Sequence, residues 1–255
     1  MQKILQIMNL KTLIVAILAV ISTHVCIRFS ITADFPLTLI ATAIVFPIVF
    51  SINTAYKRRE AALGHYGSIK SHSTAIFFAT RDWLEAPSAE VVEHVRRLLG
   101  SLLTSCKVLF SSPVSGLRDN EDEVYKAFSD LSKFIKNELR GNGLASGEVS
   151  RCNQYLSKMF TSFEHAKHIY QYRTPRTLRT FSTVFISVLP ILYGPYFAHK
   201  ALQYSAEVTY VVPVLFAIVL VSLSNIQEQL ENPFDGVGED DITFSVGEFV
   251  EHLYD

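Results

Sequence analysis

Phe35–Tyr56 reads FPLTLIATAIVFPIVFSINTAY, and this stretch decides the fold. From Phe35 to Ile52 it carries no ionisable side chain. As a helix, a run of that length rises about 27 Å, close to the roughly 30 Å hydrocarbon core of a bilayer. Lys57-Arg58-Arg59 ends it with a cationic cluster of the kind held on the cytoplasmic side. Phe35, Leu39, Ala43, Phe46, Phe50 and Asn53 recur at steps of four and three, so they are expected on one helical stripe, flanked by Thr38 and Thr42. Pro36 suits a first helical turn, whereas Pro47 inside the helix should bend it and free a carbonyl. Such a stripe either lines a pore constriction that gates by dewetting or packs against another helix.

Composition points the same way. Of 255 residues, 49% are hydrophobic and only 18% are charged, against about 25% charged in soluble domains. A net charge of −1 supplies no basic field for nucleic acid. Cys26, Cys106 and Cys152 lie far apart, match no metal or redox spacing and predict no disulfide framework. Met1–Lys11 and the apolar run after it show no small-residue cleavage site, so no secretory signal peptide is expected.

Outward from the central stretch, Thr12–Ile27 reads as a first span and Ser30–Asp34 as a tight connection, giving a hairpin. Beyond Tyr56 the character becomes soluble and helical. The span helix should run on toward Trp83. Helices are expected at Ala89–Phe110, Asn120–Arg140 and Ser146–Tyr172, with Gly141-Asn142-Gly143 supplying a left-handed stop. Thr180–Ala198, interrupted by Pro190 and Pro195, reads as a third span, and Val208–Ser224 as a fourth. The predicted fold is therefore all-α: residues 1–56 an arm and first transmembrane hairpin, 57–174 a cytoplasmic helical bundle, 175–224 a second hairpin, 225–255 an acidic tail. Both termini are then cytoplasmic, with Lys3, Lys11, Lys57, Arg58, Arg59, Arg173, Arg176 and Arg179 inside against Arg28 and Lys200 outside.

Calcium takes six to eight oxygens from carboxylates, carbonyls and amides on a turn. Asn232, Asp235, Glu239, Asp240 and Asp241 could supply some of them, or form a solvated acidic turn; the spacing is not that of an EF-hand. His165 and His168 lie one helical turn apart, as a chelating pair or as polar surface. Arg58 and Arg59 could draw anions to an inner pore mouth or anchor to the membrane surface. Gly64 and Gly67, inside a helix, suggest close helix packing. No phosphate loop, nucleophile elbow or paired-histidine metalloprotease motif occurs, so no enzyme is expected.

Two motifs carry a family resemblance. Phe50-Ser-Ile-Asn53-Thr-Ala-Tyr56-Lys-Arg58, with Ala62 and Tyr66-Gly67, resembles the motif after the second span of bestrophins, above all the bacterial and plant branch. Gln229-Leu-Glu231-Asn232-Pro233-Phe234, with acids shortly after, resembles that family's signature after the fourth span. Pro175 and Leu189-Pro190 sit where the family places prolines. Where it commonly has Trp-Trp-Glu, this chain has Arg59-Glu60-Ala61.

The resemblance implies a homopentameric channel in a lipid bilayer that passes chloride or other small anions, although some bacterial members favour cations. Family neck positions map onto Phe35, Leu39 and Ala43; with Phe46 these form the expected constriction. In calcium-gated members the acids after Asn-Pro-Phe hold calcium, which here corresponds to Asn232, Glu239, Asp240 and Asp241. The other class of function compatible with the sequence is a non-conducting membrane scaffold that binds a partner.

Overall fold

The computed structural model describes residues 8–113, 116–172, 176–201, 203, 208–234, 236 and 241–254. Every regular element among them is helical, as the pattern predicts. The elements are α1 (Leu10–Arg28), α2 (Leu37–Asp82), α3 (Ala89–Ser111), α4 (Leu117–Phe134), a π turn (Ile135–Leu139), α5 (Ser146–Gln171), α6 (Arg176–Leu192), α7 (Gly194–Ala201), α8 (Val211–Glu231) and α9 (Val246–His252).

Local chemistry sets several boundaries. The Asn9 side chain accepts from the Thr12 amide at 3.2 Å and caps α1, and Ser88 caps α3 through the Val91 amide at 3.3 Å. Gly143 adopts φ +92° after the π turn, where Leu144 N–H reaches back to the Leu139 carbonyl at 3.0 Å. This is the left-handed stop expected there. The expected third span is divided: α6 ends at Leu192 and α7 starts at Gly194. Pro195 has no N–H to offer the Ile191 carbonyl four residues back. Ser22 Oγ on α1 donates to that carbonyl instead, at 2.7 Å.

The chain divides into two compact units, Met1–Lys57 with Arg173–Glu231, and Arg58–Tyr172 with Asn232–Asp255. In the first, α1 packs on α6, α7 and α8. Its core joins Val15, Ala16 and Ala19 to Ile44, Ile48, Ile186, Leu189, Tyr193, Phe197, Ala217 and Leu220. Gly194 permits the closest approach, since a Cβ there would collide with Ser22 Oγ and lie 3.1 Å from the Ser22 backbone. Lys11 pairs with Glu228 at 3.2 Å, and Asn225 donates to Thr12 Oγ1 at 3.2 Å, fixing α1 to α8. Leu13, Ile14, Ile17, Leu18, Ile21 and Val25 on α1 remain exposed, as a lipid-facing surface requires. Three helices among the described residues are long and apolar enough to cross a membrane, Leu10–Arg28, Ile40–Asp82 and Val211–Glu231. The divided third segment is not among them.

The second unit has a separate core. Tyr66, Ile69 and Phe77 of α2 meet Leu99, Leu102 and Phe110 of α3, Phe128 and Leu131 of α4, and Phe163 of α5. Residues after Asn232 belong to it: Phe234 stacks on Phe110 at 4.7 Å, Phe244 lies 5.7 Å from the same ring, and Phe249 and Leu253 are buried. Between α4 and α5, Lys167 Nζ donates to Glu121 Oε1 (2.6 Å), Tyr125 Oη (2.7 Å) and Glu164 Oε1 (3.0 Å). Burial works against the Lys167 charge, but these bonds outweigh it and hold its pKa above the ordinary lysine value. The Lys167 hydrogen bond in turn holds the Glu121 carboxyl below its usual range.

Candidate ion pathway

The two sides of α2 differ within the first unit. Ile44, Ile48, Ser51 and Ala55 are buried, with Ile48 at 0% exposure. Ala43, Phe46, Phe50 and Asn53 are exposed, with Phe46 at 61%. At 3.6 residues per turn these sets lie on opposite faces. The Phe46 and Phe50 rings meet edge to face at 4.6 Å. Ala43, Phe46, Phe50 and Asn53 therefore do not serve packing inside the chain; the opposite face does.

Phe35 is placed differently from the rest of the expected set. It precedes the first helical residue, so its step to Leu39 is not a helical one. Its half-buried ring lies 5.1 Å from Tyr193, edge to face, and 5.9 Å from Tyr196. Leu39 lies on α2, and its side chain is outside the described residues.

Just before Phe35, the connection makes contacts that the sequence did not predict. Ala33 N–H donates to the Pro195 carbonyl at 3.3 Å. Asp34 lies 3.6 Å from Lys200 Nζ and 3.9 Å from His199 Nε2. The sequence placed Asp34 in the first connection, Pro195 in the third segment and Lys200 among the outer charges, but offered nothing that paired them. Farther round, His24 Nδ1 is 2.8 Å from Tyr210 Oη.

In the second unit, Arg58 Nη2 donates to the carbonyl of Ile169 at 2.7 Å and to that of Tyr172. Its guanidinium thus serves the open carbonyls at the end of α5, where the helix dipole favours a cation. Arg59 pairs with Glu60 at 2.6 Å. Gly64 and Gly67 lie on exposed α2 surface, and a Cβ on either would meet nothing within 4 Å. The expectation of close helix packing at these glycines fails within the chain, because α2 buries its other side through Ala62, Tyr66 and Ile69.

His165 stacks on His65 with centroids 5.0 Å apart, and His168 stacks on Tyr172 at 5.6 Å, so the two do not share a ligand position. Among the described residues no three His, Cys, Asp or Glu side chains converge on a metal position. Of the expected calcium set, Asn232 is buried and Asp241 half-buried, while Glu239 and Asp240 lie outside the described residues. Ile242 N–H donates to the Pro233 carbonyl at 2.7 Å.

Among solved structures the chain has full-length counterparts. One variant of the bacterial bestrophin homologue from Klebsiella pneumoniae is 16% identical and superposes with a TM-score of 0.78, over 98% of this chain and 96% of that one. The chain has the bestrophin fold. A second variant of the same bestrophin homologue is 19% identical, covers 100% of both chains and gives a TM-score of 0.75. A structure described as a membrane protein is 15% identical, with a TM-score of 0.77 over 96% of this chain and 95% of that one. No family model matches the sequence, and no curated protein matches it. The bestrophin likeness in fold covers nearly the whole chain, including the stretches at Asn53–Arg58 and Asn232–Phe234.

Proposed function

We propose that this protein is a bestrophin-like ion channel in which five copies surround a pore lined by α2, passing chloride or another small anion. The supporting observation is the exposed Ala43, Phe46, Phe50 and Asn53 stripe, opposite the face that packs inside the chain. An exposed aromatic pair on a membrane helix needs either lipid or neighbouring copies around it, and the short polar Asn53 on the same stripe favours an aqueous path. Phe35, Leu39, Ala43 and Phe46 form the constriction. Apolar walls cost a weakly hydrated anion less than a strongly hydrated cation, and ring edges carry positive partial charge toward the ion. Arg58 and Arg59 stand at the inner mouth with much of their charge already committed to α5 and Glu60. In this reading α1, α2, α6 with α7, and α8 cross the membrane, and both termini are cytoplasmic.

A calcium site belongs to the same proposal. Asn232, Glu239, Asp240 and Asp241 are hard oxygen donors of the kind calcium takes, and they flank or fall between Pro233 and Ile242, whose backbone groups hydrogen-bond at 2.7 Å. A calcium isotherm of the wild type should be lost in the Asp240→Asn/Asp241→Asn double variant; indistinguishable isotherms discard the site.

The deciding experiment is the reversal potential of purified protein in a planar bilayer under a tenfold KCl gradient. A value near the chloride equilibrium potential is expected. A value near the potassium potential keeps the pore and reverses its selectivity. Silence with and without calcium removes the channel. Leu39→Ala should alter conductance or selectivity more than Ile40→Ala does.

A further inference from the structure

Helix α7 is a short helix set off by the break at Tyr193, yet three successive residues leading into α2 are held by it or by the residue before it. Ala33 bonds the Pro195 carbonyl at 3.3 Å, and the Phe35 ring abuts Tyr193 and Tyr196. Between them, the two Asp34 carboxylate oxygens face Lys200 at 3.6 Å and His199 at 3.9 Å. We infer that Asp34 and Lys200 together set the charge of the outer entrance and so bias which ion enters, an inference that rests on the channel reading above.

The argument is electrostatic. The Asp34 side chain is 62% exposed, whereas that of Lys200 is 25% exposed and its ammonium lies 5.6 Å from the Tyr196 ring centre. The cation is therefore fixed against the protein while the carboxylate faces water. As a pair they nearly cancel. A carboxylate bared immediately ahead of Phe35 would concentrate cations at the constriction, and an ammonium bared there would concentrate anions. Around a symmetric pore each change is repeated in every copy.

The test is the potassium-to-chloride permeability ratio of purified channels in planar bilayers, from reversal potentials at low and high salt. Lys200→Gln should raise the ratio and Asp34→Asn should lower it, each by about two- to five-fold, the scale of an exposed ion pair. The double variant should return close to wild type. Lys200→Arg should match wild type, separating charge from packing, and Lys107→Gln on the exposed side of α3 controls for net charge. Both shifts should shrink near 1 M salt, where the screening length falls to about 3 Å. Working channels in which the two single variants shift together, or not at all, overturn the inference and leave the channel reading standing. If Lys200→Gln fails to assemble, Asp34→Asn decides: a lowered, salt-sensitive ratio supports the inference and an unchanged one overturns it. A silent wild type removes the channel reading itself.

Discussion

Ser22 Oγ donates to the carbonyl of Ile191 at 2.7 Å, the acceptor that Pro195 leaves without its helical donor. One hydroxyl on α1 thus stabilises the break that separates α6 from α7. Ser22→Ala should lower the stability of detergent-solubilised protein by about 1 kcal/mol, the usual scale of such a bond between membrane helices. Gly194→Ala should cost more, about 1–3 kcal/mol, because its methyl group meets the Ser22 backbone rather than a flexible side-chain end. Thermal melts of the two variants check the order.

The two faces of α2 should separate function from stability. Phe46→Ala removes an exposed ring and should change conductance or selectivity with little effect on the melt. Ile48→Ala opens a cavity in the first core and should cost about 2–5 kcal/mol. Current recordings and melts on both variants make the comparison; equal effects on both readouts would contradict the assignment of faces.

The Lys167 cluster predicts a pH profile with two edges. Glu121, held below its ordinary value of 4.5, contributes stability above that value, and the contribution is lost as pH falls through the depressed one. Lys167, held above its ordinary value of 10.5, contributes fully below that pH and loses its contribution as pH rises through the raised one. Stability from this cluster should therefore be flat between those limits and fall outside them. Lys167→Met leaves Glu121 and Glu164 facing one another and should destabilise by about 3 kcal/mol at neutral pH. Denaturant titrations across the pH range would show a weakened acid edge in the variant.

Burial pushes the Cys106 thiol up to about 12 and, together with the nearby Glu148 charge, the Cys152 thiol up to about 11. Both should resist maleimide in folded protein at pH 8 and label quickly in denaturant, since the thiolate is the reactive form. Mass spectrometry of labelled peptides distinguishes the two states.

Sequence periodicity made several of these elements legible. The ion-free run from Phe35 to Ile52 located the central helix, its four-and-three steps put Phe46 and Phe50 on one face without deciding between pore and packing, and Gly143 marked a real helix end. Those signals are local, set by backbone propensity and by the period of one helix. What escaped depends on distant partners. Nothing near Phe35 announces Tyr193, and nothing near Arg58 announces the carbonyls of Ile169 and Tyr172. The sequence also could not say that Gly64 and Gly67 look outward, because small residues suit a close contact and an open surface alike. The two ordinary prolines of the third segment signalled an interruption, but the hydroxyl that makes the break tolerable lies on α1.

The placement of Phe234 and Phe244 on Phe110 also bears on how the protein is made. A ribosome delivers Arg58–Tyr172 well before Asn232–Asp255, with the whole of Arg173–Glu231 in between. Until the last two dozen or so residues emerge, Phe110, Tyr66 and the α3 surface that receives α9 stay open to solvent. A nascent chain of this protein therefore carries an unfinished core while Arg173–Glu231 is being made, and a premature stop after Glu231 would release it in that state, a natural target for chaperones and quality-control proteases.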